Sequence, residues 1–256
     1  MFRIAIVQHA IRTENLEWTL QHIISLLDQQ PGADLYVLAE NFATGFMADG
    51  SADRAGEQSP WIVSWMRQQA ARLDAAVTGS VATVDANGLL RNRMFFVRPD
   101  GSYDYFDKRH LFSYAGESKT YVPGCRRVVV AWRGMRFLLQ VCYDLRFPVF
   151  SRCKGDYDAA IYVANWPSSR RDAWQTLLKA RAIENQCFVA GVNIVGSDGK
   201  FEYHGDSVVL NAYGQIKASC TPAVAEVAVA ELDLDDQNHF RNKFHVLDDA
   251  DDFTLK

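Results

Sequence analysis

Three residues of this 256-residue chain could do chemistry together: Glu40, Lys108 and Cys142, each standing at the end of an expected strand. Glu40 closes "DLYVLAE", Lys108 closes "YDYFDK", and Cys142 follows "FLLQV". Singly, each has an ordinary explanation, since a buried cysteine usually acts as a small hydrophobe and a lone lysine as a solvated charge. The glutamate is harder to dismiss, because burying an unpartnered carboxylate is costly. Together the three describe a nucleophilic site. The thiolate is the reactive form of cysteine, and a strand-to-helix turn with an ammonium nearby would stabilise it. Glu40 can take the thiol proton and later return it to a departing amine. Lys108 can donate to an oxyanion forming on a carbonyl carbon. The backbone N–H of Tyr143 is the natural second donor, and such donors are worth about 3–4 kcal/mol each.

These side chains need strands to carry them. Phe2 to Val7 reads as a first strand, followed by Leu16, Leu20, Ile23, Ile24 and Leu27 at helical spacing and then by the strand ending at Glu40. A helix is expected from Pro60 to Leu73, with Ile62, Trp65 and Met66 on one face, then the strand "AAVTGSVA". Asn87 and Gly88 suit a hairpin turn into "RMFFVRP", and "YDYFDKRHLF" supplies a strand left at Lys108. The second half repeats the rhythm with "RRVVVAW", "FLLQV", "DAAIYVANWP", a helix from about Arg170 to Asn185, "CFVAGVNIVG", the hairpin "SVVLNAYGQI" and "AEVAVAELDL". Uniformly apolar strands are covered on both faces, while "RRVVVAW" has the alternation of an edge. Two packed sheets with helices outside satisfy both patterns, so the expected fold is α/β in one domain spanning 1–256. The acidic end "DDADDFTLK" reads as a solvated tail, with docking on a partner subunit as the other possibility.

Composition narrows the function. At 48% hydrophobic residues the chain can bury a full core, and a net charge of −4 with dispersed Lys and Arg provides no basic field for nucleic acid or an anionic membrane surface. No apolar run approaches the roughly 18 residues of a membrane span, and "MFRIAIVQHA" suits a strand better than a secretory signal, so a cytoplasmic protein is expected. The five cysteines are odd in number and widely spaced, and the six histidines are scattered. Free thiols and no metal follow from that spacing.

In order, "LAENFATGF", "DKRHLF" and "VCYDLRFP" resemble the Glu, Lys and Cys motifs of the nitrilase superfamily, the carbon–nitrogen hydrolases, and the likeness continues through "YVANWP" and "GDSVVLNAYGQI" to about Leu234. The resemblance implies a four-layer αββα sandwich, usually a homodimer, that hydrolyses amides or nitriles through a cysteine thioester without a cofactor. It makes Glu40 the base, Lys108 the lysine and Cys142 the nucleophile. Glu117 falls where many members carry a second glutamate that positions substrate or lysine; its other reading is a surface charge on a loop. Ala39 stands where proline commonly precedes the glutamate. "ENFATGF", "CYDLRFP" and "NWP" are most similar to the omega-amidase branch, which acts on small-molecule amides such as 2-oxoglutaramate and 2-oxosuccinamate. A deaminated-glutathione amidase, a carbamoyl amide hydrolase, a nitrilase and a catalytically silent interaction subunit are the alternatives. Arg146 either forms a bidentate pair with a substrate carboxylate or bonds Asp144 or a neighbouring carboxylate within the fold. Among the aromatics beside the motifs, Phe42 and Trp166 are the expected pocket walls, with Tyr143 supplying its backbone donor.

Overall fold

The computed structural model describes residues 1–46 and 52–254. Strand β1 (Phe2–Gln8) leads to helix α1 (Leu16–Leu27), whose Asn15 cap accepts from the Trp18 N–H and whose Leu20, Ile23, Leu26 and Leu27 are buried. Next come β2 (Leu35–Val37), α2 (Ala52–Leu73), β3 (Ala76–Val84), β4 (Leu90–Val97) and β5 (Tyr103–Asp107). The second half comprises β6 (Val129–Trp132), β7 (Met135–Val141), the short α3 (Pro148–Ser151), β8 (Ala159–Ala164), α4 (Arg171–Glu184) and β9 (Phe188–Asn193). It closes with the hairpin β10 (Val195–Ser197) and β11 (Glu202–His204), then β12 (Val208–Leu210), β13 (Ile216–Ser219), β14 (Glu226–Leu232) and α5 (Leu234–Lys243).

Among the described residues the main sheets are six-stranded, ordered β14-β1-β2-β3-β4-β5 and β13-β12-β9-β8-β7-β6. Parallel strands sit in the middle of each: β1, β2 and β3 in sheet one, and β7, β8 and β9 in sheet two. Three apolar layers result. Ile4, Ile6, Val37, Phe137, Leu139 and Ile161 fill the space between the sheets. Leu20, Ile23, Ile62 and Met66 cover the outer face of sheet one, and Trp174, Leu178 and Ala182 that of sheet two. This is the αββα sandwich, with β6 at an edge as its alternating sequence implied.

At one pole the loops entering β2 and β7 clasp the sheets together. The Arg133 guanidinium donates to Asp34 Oδ1 at 2.7 Å and to the Asp74 carbonyl at 2.8 Å, and Trp132 Nε1 donates to the Asp34 carbonyl at 2.9 Å. The opposite pole, at the carboxyl ends of the parallel strands, is where loops converge and ligands bind in such sheets.

Some elements differ from expectation. Helix α2 starts at Ala52, ahead of Pro60, which lies inside it. Burial of Ala55 and Ser59, the latter accepting a bond from the Thr83 hydroxyl at 3.1 Å, outweighs the weak helix propensity of that turn. Helix α5 was not anticipated; Asp233 caps it by accepting from Asp235 and Asp236 N–H groups. In the β3–β4 hairpin only Gly88 takes positive φ, while Asp85 Oδ1 accepts from the Asn87 and Leu89 N–H groups. Near the chain end, Lys154 donates to the Phe253 carbonyl and its ammonium lies 4.5 Å from the Phe253 ring, so this part of the tail lies against its own chain.

Candidate active site

Glu40 stands three residues beyond β2, where the chain turns through Asn41 at φ 40°. Both its oxygens are occupied. Oε1 accepts from Lys108 Nζ at 2.8 Å and from Asn92 Nδ2 at 2.8 Å, and Oε2 accepts from the Asn165 N–H at 2.9 Å. Lys108 is the first residue after β5, and its Nζ also reaches Glu117 Oε1 at 3.1 Å and Oε2 at 2.9 Å. Glu117 Oε2 further accepts from the Phe112 N–H at 2.5 Å, and Asn92 Nδ2 lies 3.2 Å from Glu117 Oε1. Glu40, Lys108, Glu117 and Asn92 are all 0–1% exposed. Burial alone would drive the Lys108 proton off, but the Glu117 and Glu40 carboxylates outweigh it and hold the amine charged well above its ordinary range. Glu117 is therefore no surface charge.

Cys142 follows β7 directly and opens a 3-10 turn over Cys142–Arg146, with φ at 47°. That region is sparsely occupied by residues other than glycine, and held there the cysteine turns out of the strand line. The strand-to-helix turn expected here is a 3-10 turn followed by the four-residue α3, too short to supply much of a helix dipole. Burial, and then the Glu40 carboxylate, push the thiol well above its ordinary range, against the pull of Lys108, so the resting sulfur carries its proton. As second residue of the turn, Tyr143 presents an N–H that the turn itself cannot satisfy.

Asp144 locks these segments together. Its Oδ2 accepts from the Val141 N–H at 3.0 Å, and its Oδ1 lies 2.9 Å from the His110 N–H and 2.7 Å from His110 Nδ1. The His110 ring stacks on Phe147 with centroids 3.9 Å apart. Asp144 is thus committed elsewhere and is not the partner of Arg146. The Arg146 guanidinium lies over the Trp166 ring at 5.0 Å, with no carboxylate in ion-pair reach among the described residues.

Glu40, Lys108, Cys142, Tyr143, Arg146 and Trp166 line one cavity, whose space between atoms, open solvent at the mouth included, is about 460 Å³. Glu117 sits behind Lys108. Phe42 does not line it. Positive φ at Asn41 sends the Phe42 ring outward into the helix–sheet layer, 5.7 Å from Trp65, over Gly79, where a Cβ would come within 3.0 Å of it. Phe46, Phe112, Phe201 and Tyr203 supply the apolar wall instead, joined by Asn165 and Arg170. Asn92, Asn165 and Asp144 were not singled out as site residues from sequence. Asn92 had a signal: it falls between Leu90 and Met94 on the buried face of β4, a polar residue in a core position.

Compared with known families, residues 3–242 match carbon-nitrogen hydrolase. The chain belongs to that family. It is 44% identical to omega-amidase YafV of Yersinia enterocolitica over 254 residues, covering 99% of this chain and 98% of the relative. It is 31% identical over 220 residues to 2-oxoglutaramate amidase of Bacillus subtilis, with 85% of each chain covered. Among solved structures, XC1258 of Xanthomonas campestris, a CN-hydrolase superfamily protein crystallised with an arsenic adduct in its active site, superposes with a TM-score of 0.94 at 40% identity over 100% of this chain and 99% of that one. The sandwich is therefore that of the nitrilase superfamily, and the chain is a carbon–nitrogen hydrolase of the omega-amidase-like branch.

Proposed function

We propose that the enzyme hydrolyses the terminal amide of small 2-oxo dicarboxylic acid monoamides, 2-oxoglutaramate and 2-oxosuccinamate, to the acid and ammonia. The observation that carries this reading is the Arg146 guanidinium, which has no carboxylate partner among the described residues, in the same cavity as the Cys142 thiol. Arg146 is only half-buried, but a cavity-lining cation with no carboxylate beside it suits an anionic ligand, and a planar guanidinium fits a carboxylate in two-point contact. The relatives named omega-amidase and 2-oxoglutaramate amidase support it.

The geometry supports the following catalytic roles. The thiol rests protonated, so Glu40 takes its proton as sulfur attacks the amide carbonyl. Negative charge moves to the carbonyl oxygen, where Lys108 and the Tyr143 N–H receive it. Lys108 can turn one N–H toward that oxygen when its two-point contact with Glu117 relaxes to one bond. Glu117 and Asn92 hold the Glu40–Lys108 pair in place throughout. The tetrahedral intermediate collapses, the C–N bond breaks, and the nitrogen leaves as ammonia with the proton from Glu40. Water, deprotonated by Glu40, then attacks the thioester; the acid departs and the thiol regains its proton. The chain would act as a single domain, as a homodimer in the cytoplasm.

Ammonia release across a panel of 2-oxo acid amides, glutamine, carbamoyl amino acids and nitriles tests the assignment. The oxo-amides are expected to turn over fastest. Equal or better turnover of nitriles overturns it.

A further inference from the structure

The turn after β8 is pinned at nearly every polar atom. The Asn165 N–H donates to Glu40 Oε2 at 2.9 Å, and the Trp166 N–H donates to Asn193 Oδ1 at 2.8 Å. Asn193 Nδ2 donates back to the Trp166 carbonyl at 3.0 Å and to the Gly205 carbonyl at 3.0 Å, while Trp166 Nε1 donates to the Arg170 carbonyl at 2.8 Å. One group in this turn is left over. Asn165 is one of the residues that line the cavity, it is only 6% exposed, and among the described residues neither Oδ1 nor Nδ2 has a partner. Exchanging the two atoms would not change this, since both are unpaired. A buried amide left unsatisfied costs about 1–3 kcal/mol per group, so a fixed one facing a ligand cavity marks where a polar ligand atom binds.

Its neighbours say which atom. Glu40 Oε1 is committed to Lys108 and Asn92, which leaves Oε2 as the oxygen that exchanges protons with sulfur and with the departing nitrogen. Asn165 bonds that same Oε2 through its main-chain N–H, so a cavity-lining residue is anchored directly on the proton-exchanging oxygen. The carboxylate end of the substrate is served by Arg146, over Trp166. We infer that Asn165 is a substrate-binding residue for the scissile amide's –NH₂: Oδ1 accepts one N–H and so turns the nitrogen lone pair of the tetrahedral intermediate toward the proton held by Glu40. That proton passes to nitrogen, the C–N electrons go with the nitrogen, and the oxyanion reforms the carbonyl. The inference rests on the amidase reading and deepens it, because it makes the site selective for primary amides over groups that leave without N–H.

The test compares kcat/KM, which reports steps up to formation of the acyl-enzyme, for 2-oxoglutaramate and for the methyl ester of the same acid at the same position. Asn165→Leu keeps the volume and removes the polar atoms; Asn165→Ala gives the same reading with less bulk should Leu fold poorly. The ester checks in each variant that the thiol and its surroundings are intact. The expected result is a loss of about 100-fold for the amide, within the range of positioned proton transfer, with the ester changed less than about threefold. A parallel loss on both substrates, or no loss on either, overturns the inference. Failure of the unmodified enzyme to release ammonia from any oxo-amide overturns the amidase reading itself, which is a separate result.

Discussion

The two sheets bring very different material to the cavity. Sheet one and its loops deliver Glu40, Asn92, Lys108 and Glu117, which are buried and bonded chiefly to one another. Sheet two delivers Cys142, Tyr143, Arg146 and Asn165, which line the cavity, with the Asn165 carboxamide unpaired and the Arg146 guanidinium without a carboxylate among the described residues. One half is thus an electrostatic frame assembled before any substrate arrives, and the other is a set of vacant valences that a substrate completes. Preorganised charge of the first kind is where enzymes gain most, and the proposed mechanism asks one adjustment of it, a Lys108 N–H turning from Glu117 toward the oxyanion. A residue of the frame should affect folding and turnover together, whereas a residue of the open half should affect turnover alone.

The sharpest break lies in the open half. Cys142→Ala is expected to lower oxo-amide turnover by on the order of 10⁴-fold or more with an unchanged circular dichroism spectrum. A residual rate above about a hundredth of the original would move the nucleophile elsewhere.

Next in size is the frame. Lys108→Met leaves the Glu40 and Glu117 carboxylates buried without their cation. Urea denaturation should show a loss of about 3–5 kcal/mol alongside lost activity. A stability change under about 1 kcal/mol would dissolve the contrast between the halves.

His9, also on the sheet-one side, tests the frame by pH. Its ring is buried between the Val7 carbonyl at 3.2 Å from Nδ1 and the Phe42 carbonyl at 2.9 Å from Nε2, next to the turn that presents Glu40. Burial is the main cause that lowers its pKa from 6.5 to about 4. Between those two values the unfolded chain binds a proton that the folded chain refuses, so stability is full above about 6.5 and falls with acidity until about 4. The loss amounts to about 3 kcal/mol over that window, and His9→Gln should flatten the slope of unfolding free energy against pH.

The smallest effect returns to the open half. Arg146→Ala should cut kcat/KM for carboxylate-bearing amides by about 10–100-fold, the range of one hydrogen-bonded charge, while leaving the urea midpoint near the original. Equal losses on an uncharged amide would show that Arg146 shapes the cavity rather than clamping a carboxylate.

Much of this was legible in the residues and some was not. The end of β7 was readable because its apolar run stops where the sheet stops, at Val141 just before the cysteine; the end of β5 at Asp107 was read from the alternation in "YDYFDK". The family motifs placed Glu117, whose burial no local pattern around "SYAGESKTY" reveals. Phe42 failed as a pocket wall because adjacency in sequence does not predict direction when the intervening residue, Asn41, takes positive φ. The partners of Arg146 and Asp144 were unreadable for a related reason, since His110 meets Asp144 across 34 positions of chain. Helix α5 is short and polar, with only Gln237 buried, so it lacks the apolar stripe by which helices announce themselves.

The left-handed backbone at Cys142 has a practical consequence. Glycine alone would sit there at ease, relieving about 1 kcal/mol of conformational strain, and Cys142→Gly should therefore outlast Cys142→Ala on heating while being just as inert. A laboratory campaign that selects this protein for thermal endurance without monitoring ammonia would be rewarded for discarding its sulfur.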